Sequence, residues 1–348
     1  MRVLMVTTHV VFTTGESSQL QQCLRQALLA DGHEVDTIDL PFTPECARLD
    51  QQVLALSCLD LSEAGGAPVD RLIALGYPAY AIPHPNKVAW LTKCLAESCA
   101  PWCESPVRGL DDAAADREKQ HVVLRADTRF LRECRRVFVA SNALETVLGR
   151  LNGLAPDGVL YPPLLCSESE TGGTVGDYFV CPIDGVVEED LRMIMDAMRG
   201  IAGKFKLVFF GAQDSARAAK LRALVQSSHG AARVEVQQET TRGGEVRLIS
   251  NARALILATR DEPVCGQRLL AAMRARTPTL ALTWVGAPLE LLRDGENALI
   301  VEPRQDDVSR ALQRLTARDV ATRLGTAANA TLDRRGIDWA TVSRTLLS

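Results

Sequence analysis

Short apolar runs that stop at polar residues alternate along this chain with stretches in which apolar residues recur every three or four positions. The first run, Val3-Leu4-Met5-Val6, ends at Thr7, Thr8 and His9, as a buried parallel strand does on reaching the carboxyl edge of its sheet. From Ser17 or Ser18, either of which can cap a helix, Leu20, Cys23, Leu24, Ala27 and Leu28 recur at helical spacing, and the helix closes at Asp31-Gly32. Residues 35–38 then read as the next strand. Strand, helix, strand with short connections is the unit of a doubly wound parallel sheet. The plan recurs at 72–75 and at 136–140, the latter passing through Ser141-Asn142, good capping chemistry, into another helix. The charged, Ala-rich stretch 110–120 reads as a solvated helix face or a mobile loop.

Around 168–177 the chain turns polar and glycine-rich, reading Ser-Glu-Ser-Glu-Thr-Gly-Gly-Thr-Val-Gly-Asp from Ser167 to Asp177, which is how an interdomain linker reads. Beyond it the pattern repeats, with strands over 178–181, 206–210, 234–236, 254–257 and 279–282 and a helix over 191–198. A length of 348 residues also exceeds what one hydrophobic core usually serves. Two α/β domains are therefore expected.

Composition narrows the class. A hydrophobic fraction of 47% with 24% charged residues is that of an ordinary globular protein, and a net charge of −4 supplies no field for nucleic acid, which is not expected as a partner. Of ten cysteines, Cys94, Cys99 and Cys103 cluster and the rest are scattered. No Cys-x-x-Cys pair occurs, so reduced structural thiols are expected rather than a zinc site. The apolar start is too short for a signal peptide, and no apolar run reaches the roughly 18 residues that span a bilayer. A cytoplasmic location follows, with peripheral membrane contact left open.

Certain residues go further. The first half carries Gly32-His33-Glu34-Val35, Gly76-Tyr77-Pro78-Ala79-Tyr80, His84-Pro85-Asn86-Lys87-Val88 and Tyr161-Pro162-Pro163. The second carries Asn251-Ala252-Arg253-Ala254, Asp261-Glu262, Ala272-Met273, Gly286-Ala287-Pro288-Leu289-Glu290, Asp294-Gly295-Glu296-Asn297 and Ile337-Asp338-Trp339. In order and spacing these resemble bacterial family-4 glycosyltransferases of the GT-B fold along nearly the whole chain. The resemblance implies an α/β architecture of two Rossmann-like domains facing each other across a cleft. Residues 1–168 would form the acceptor domain, 169–333 the donor domain, and 334–348 a C-terminal helix crossing back to the first.

It also implies transfer of a sugar from a nucleotide-diphosphate donor to a glycan or small-molecule acceptor, with retention, without a metal, and with no cofactor beyond the donor itself. A diphosphate leaving group gains negative charge in the transition state, so cations, helix N-termini and backbone amides must stabilise it. Glu262 and His84 are the catalytic candidates. Gly211, Arg260, Gly266, Arg268, Ala287, Leu289 and Glu290 are expected on the donor side. Thr8, His9, Gly15, Asn86 and Lys87 are expected on the acceptor side, His84 to Lys87 being read as following a strand. Asp127 matches an acidic family position and otherwise reads as a solvated loop carboxylate.

The chain also departs from the family. Where relatives place an Arg and, five residues on, a Lys, it has Pro182 and Val187; the second family Glu falls on Ala271, and one extra residue separates Glu262 from Gly266. The alternative is a non-catalytic relative acting as a binding or partner-activating module, with a working glycosyltransferase as the partner.

Overall fold

The computed structural model describes residues 1–12, 16–43, 48–92, 110–165, 176–212, 215–227, 233–238, 241–259 and 266–348. The chain divides into two compact units, Met1–Pro162 with Asp338–Ser348, and Pro163–Ile337. Of the linker read at 168–177, only Gly176 and Asp177 are among the described residues.

The first unit contains strands β1 (Arg2–His9), β2 (Glu34–Pro41), β5 (Arg71–Leu75), β6 (Lys87–Leu91), β7 (Arg136–Val139) and β8 (Gly158–Val159). They form one parallel sheet in the order β2-β1-β5-β6-β7-β8, and a small antiparallel ribbon joins β3 (Glu63–Ala64) to β4 (Ala67–Pro68). Every residue of β5 and β6 is buried, as strands covered by helices on both faces require. The helices are α1 (Glu16–Ala30), α2 (Leu49–Ser57), α3 (Leu110–Arg132), α4 (Asn142–Asn152) and, from the far end of the chain, α11 (Trp339–Leu347). The charged stretch 110–120 is thus the start of a 23-residue helix. Ser141 caps α4 by accepting from the Leu144 amide, and Gly153 closes it in the left-handed region at φ 61°.

Asp127 is not solvated. It lies buried on α3, where Oδ1 accepts the Tyr80 hydroxyl and Oδ2 accepts Asn152 Nδ2 at 2.7 Å. Burial pushes its carboxyl up to about 6, although both hydrogen bonds pull the other way.

Helix α11 docks on α1, with Ser343 Oγ donating to Asp31 Oδ2 at 2.6 Å. Arg71, buried at the start of β5, donates to the carbonyls of Leu346, Leu347 and Ser348 at 3.4, 2.9 and 3.4 Å. A guanidinium there satisfies C-terminal carbonyls and opposes the negative end of the helix dipole. Arg71→Met is expected to cost about 1–2 kcal/mol and to speed amide hydrogen exchange in 339–347 before the rest of the unit.

The second unit contains β9 (Tyr178–Pro182), β10 (Lys206–Ala212), β11 (Val234–Gln238), β12 (Ala254–Leu257), β13 (Thr279–Leu282) and β14 (Leu299–Val301). Its sheet is parallel throughout, in the order β11-β10-β9-β12-β13-β14. Around it run α5 (Glu188–Arg199), α6 (Ser215–Ser227), α7 (Arg242–Ser250), α8 (Gln267–Arg274), α9 (Gln305–Thr316) and α10 (Arg318–Arg334). Phe179, Phe209 and Phe210 fill the centre. Helix α10 crosses the end of α8 where Gly325 lies against the Arg276 backbone, and Asn329 Nδ2 donates to the Arg274 carbonyl at 3.2 Å. Both sheets are Rossmann-like. Among the described residues no helix is long and apolar enough to cross a membrane.

Candidate functional site

In an open parallel sheet the chain leaves two neighbouring strands in opposite directions at one point, and ligands bind outside the carboxyl ends there. In the second unit that point lies between β9 and β12. The turn after β9, Ile183-Asp184-Gly185-Val186, folds over it: Ile183 N donates to the Phe210 carbonyl at 3.0 Å, and Thr259 Oγ1, beyond β12, donates to the Asp184 carbonyl at 3.0 Å. Gly185 has φ 72°, and a Cβ there would stand 2.7 Å from Thr259 Cγ2. The turn therefore requires glycine both for its conformation and for its close approach.

Arg268, in the first turn of α8, occupies the middle of this edge. Its Nη2 donates to Asp184 Oδ2 at 2.6 Å and to Glu245 Oε1 at 3.2 Å, and its Nε donates to Glu245 Oε2 at 3.2 Å. The guanidinium also lies over the Phe210 ring, 5.4 Å from its centroid. Burial works against the charge, but the hydrogen bonds and charges of Glu245 and Asp184 outweigh it and hold the group well above the usual arginine range. Gly211, at φ 92°, floors the pair; a Cβ on it would come within 2.7 Å of both Arg268 Nη2 and Asp184 Oδ2. Glu245 is set by α7, whose cap Thr241 accepts from the Gly244 amide at 3.2 Å.

The other expected donor-side residues fall at nearby strand ends. Gly266 is the N-cap of α8 and makes no side-chain cap hydrogen bond, while the next residue, Gln267, grips Leu165 N at 2.8 Å and the Pro163 carbonyl at 3.2 Å. Ala287, Leu289 and Glu290 form a single 3-10 turn beyond β13, opened by Gly286 at φ 80°. Arg260 and Glu262 lie outside the described residues. The family departures are structural here: Pro182 ends β9 and is buried, Val187 occupies the N-cap position of α5 with an exposed apolar side chain that makes no cap bond, and Ala271 is fully buried in α8.

In the first unit the corresponding point lies between β1 and β5. Thr8 and His9 are there, Thr8 Oγ1 donating to the Tyr77 carbonyl at 2.9 Å and the His9 carbonyl accepting from Phe42 N at 2.8 Å. Gly15 lies outside the described residues.

His84, Asn86 and Lys87 are at the opposite edge. The strand they adjoin, β6, begins at Lys87, because the segment after β5 runs back across the sheet before entering it. His84 Nδ1 accepts from Asn86 N at 3.0 Å, so Nε2 donates to the Val69 carbonyl at 3.1 Å, and burial holds the ring below the ordinary histidine range. Asn86 bridges the Asp70 carbonyl and Arg135. Lys87, fully buried, donates to the carbonyls of Tyr80 at 2.6 Å and Ile82 at 3.0 Å, and burial lowers its affinity for its proton. His84 and Lys87 line an open cavity of about 530 Å³ with Cys58, Asp60 and Glu133, and the polar atoms of these two side chains are engaged in holding the 76–86 segment.

The sequence singled out Arg268 but neither Asp184 nor Glu245, the two carboxylates that the structure brings to it. Asp184-Gly185 directly after a buried strand was the available signal; Glu245 reaches the site from a helix that no motif marked.

Residues 178–318 match the family model of group 1 glycosyl transferases. Among solved structures, a glycosyltransferase from Rickettsia africae ESF-5 is similar at a TM-score of 0.68 and 10% identity, over 99% of this chain and 97% of that one. HepE of Anabaena, solved in complex with UDP-glucose, gives 0.64 and 14% over 99% and 98%. Sucrose-phosphate synthase from Thermosynechococcus elongatus gives 0.65 and 16% over 99% and 98%. A search of the curated proteins finds no match. The fold is GT-B.

Proposed function

We propose that this protein transfers a sugar from a nucleotide-diphosphate donor to a glycan or small-molecule acceptor in glycan or glycoconjugate biosynthesis, with retention and without a metal. The observation that carries the reading is Arg268, a cation held charged at the switch point of the domain that matches the group 1 glycosyl transferases. A guanidinium there, beside the first turn of α8, can stabilise the negative charge that a departing diphosphate gains. Glu262 is proposed toward the sugar, with Thr8 and His9 on the acceptor side. The nucleotide sugar is consumed as substrate, so no resident cofactor is required, and we place the protein in the cytoplasm.

Titration calorimetry with UDP, GDP, ADP and their sugar conjugates tests the reading. At least one nucleotide should bind at submillimolar concentration, and Arg268→Ala should weaken it by roughly 10- to 100-fold. Absence of binding at millimolar concentration would overturn it.

One observation favours a second reading, a non-catalytic module that activates a partner glycosyltransferase. Two carboxylates already surround Arg268, and no cation stands at Pro182 or Val187. A folded protein silent toward every nucleotide is the outcome this reading expects.

A further inference from the structure

The two carboxylates on Arg268 are not equivalent. Glu245 is about one-fifth exposed and holds the guanidinium along one side, through both Nε and Nη2. Asp184 touches Nη2 alone, sits on a turn rather than a helix, and is 38% exposed. Opening an ion pair next to water is cheap, because solvent screens the charges that part; breaking a buried one leaves a charge uncompensated. Of the two partners, Asp184 is the one that can leave. When it leaves, Glu245 and the Phe210 ring still fix the guanidinium, one of the two Nη2 hydrogens is released while the other stays on Glu245, and a phosphate oxygen can take the same charge-assisted hydrogen bond. Gly211 keeps that position free of side-chain atoms.

We infer that Asp184 is an intramolecular stand-in for the donor's phosphate: it occupies Arg268 until a nucleoside diphosphate displaces it, and thereby sets the affinity and anion selectivity of the site. This rests on the donor-binding reading above. With Asp184 in place Arg268 is already shared between two carboxylates, so an approaching anion must open one of these pairs. Only an anion that gains more than a single carboxylate contact displaces it, which favours a diphosphate over a monophosphate. Glu245 is a positioning residue for the same cation.

The test is calorimetric titration of UDP, GDP and ADP into wild type, Asp184→Asn, Glu245→Gln, Arg268→Ala and the Asp184→Asn/Arg268→Ala double variant, with circular dichroism to verify folding. Asp184→Asn should bind the preferred nucleotide about tenfold more tightly, Glu245→Gln should bind it less tightly than wild type, and the double variant should show no gain over Arg268→Ala. Asp184→Asn should also narrow the preference for UDP over UMP, or for the corresponding pair of the preferred base. Equal or weaker binding by Asp184→Asn, with Arg268→Ala still impaired, overturns the stand-in and leaves the donor reading intact. An equal gain in Glu245→Gln also overturns it, because the effect would then be one of net charge alone. Failure of all three nucleotides to bind wild type and Asp184→Asn overturns the donor reading and the stand-in together.

Discussion

Gly325→Ala should destabilise the second domain by roughly 3–5 kcal/mol, seen as a lower midpoint in urea denaturation followed by circular dichroism. A Cβ at this position would fall 1.8 Å from the Arg276 carbonyl oxygen and 2.6 Å from its carbon. Those are backbone atoms, so no rotamer change relieves the overlap; α10 must move away from α8 and loosen the packing on both sides of the crossing. The opposing carbonyl is fixed as well, since Arg276 is itself in the left-handed region at φ 60° and Thr277 N bonds back to Ala272 at 2.8 Å. Gly149→Ala in α4 supplies the contrast. Its nearest new contact would be 3.9 Å away, and a helical Gly→Ala change without a clash gains about 0.5–1 kcal/mol. Equal behaviour of the two variants would show that the α8–α10 crossing is not tight.

The first domain should grow less stable relative to its Asp127→Asn variant as pH rises from 4.5 to 7.5. The folded carboxyl titrates at about 6 against an ordinary 3.8, so between those values the folded chain keeps a proton that the unfolded chain gives up. The stabilisation is complete below the unfolded value and is lost as pH rises through the folded one, and a shift of this size corresponds to about 3 kcal/mol, of which about 2 kcal/mol falls between pH 4.5 and 7.5. Other carboxylates titrate in the same window, so the observable is the difference between wild type and Asp127→Asn in urea denaturation at the two pH values. Asn can still accept from Asn152 and donate to the Tyr80 oxygen, as the protonated carboxyl can, so the variant stands in for the neutral form. A difference that stays constant with pH would mean that Asp127 is solvated after all.

Asp127 also shows where reading a sequence stops. It sits in the charged stretch Arg125-Ala126-Asp127-Thr128-Arg129, which looks like surface, and it is buried because Tyr80 and Asn152, 47 and 25 residues away, bring donors to it. Strand-and-helix alternation is local and was readable: β1, β5, β7, β9, β10, β12 and β13 all stand where apolar runs predicted them. Strand β6 was not readable, because it opens on Lys87, a charged residue that is buried only through two carbonyls supplied by the 76–86 segment. That omission moved His84 and Asn86 to the wrong edge of the sheet. Strand β14, three residues long, is too short to carry a period. At the candidate site the cation was legible as an arginine beside a helix start, but its carboxylate partners come from a strand-end turn and a separate helix, a convergence that exists only in three dimensions.

The position of α11 has a consequence for how the chain is made. Helix α1 is synthesised before the whole of Pro163–Ile337, and its partner α11 after it. The intervening domain can therefore leave the ribosome and bury its core while the first still lacks a covering helix and the carbonyls that Arg71 binds. Of these two domains, the one begun before the other is completed after it.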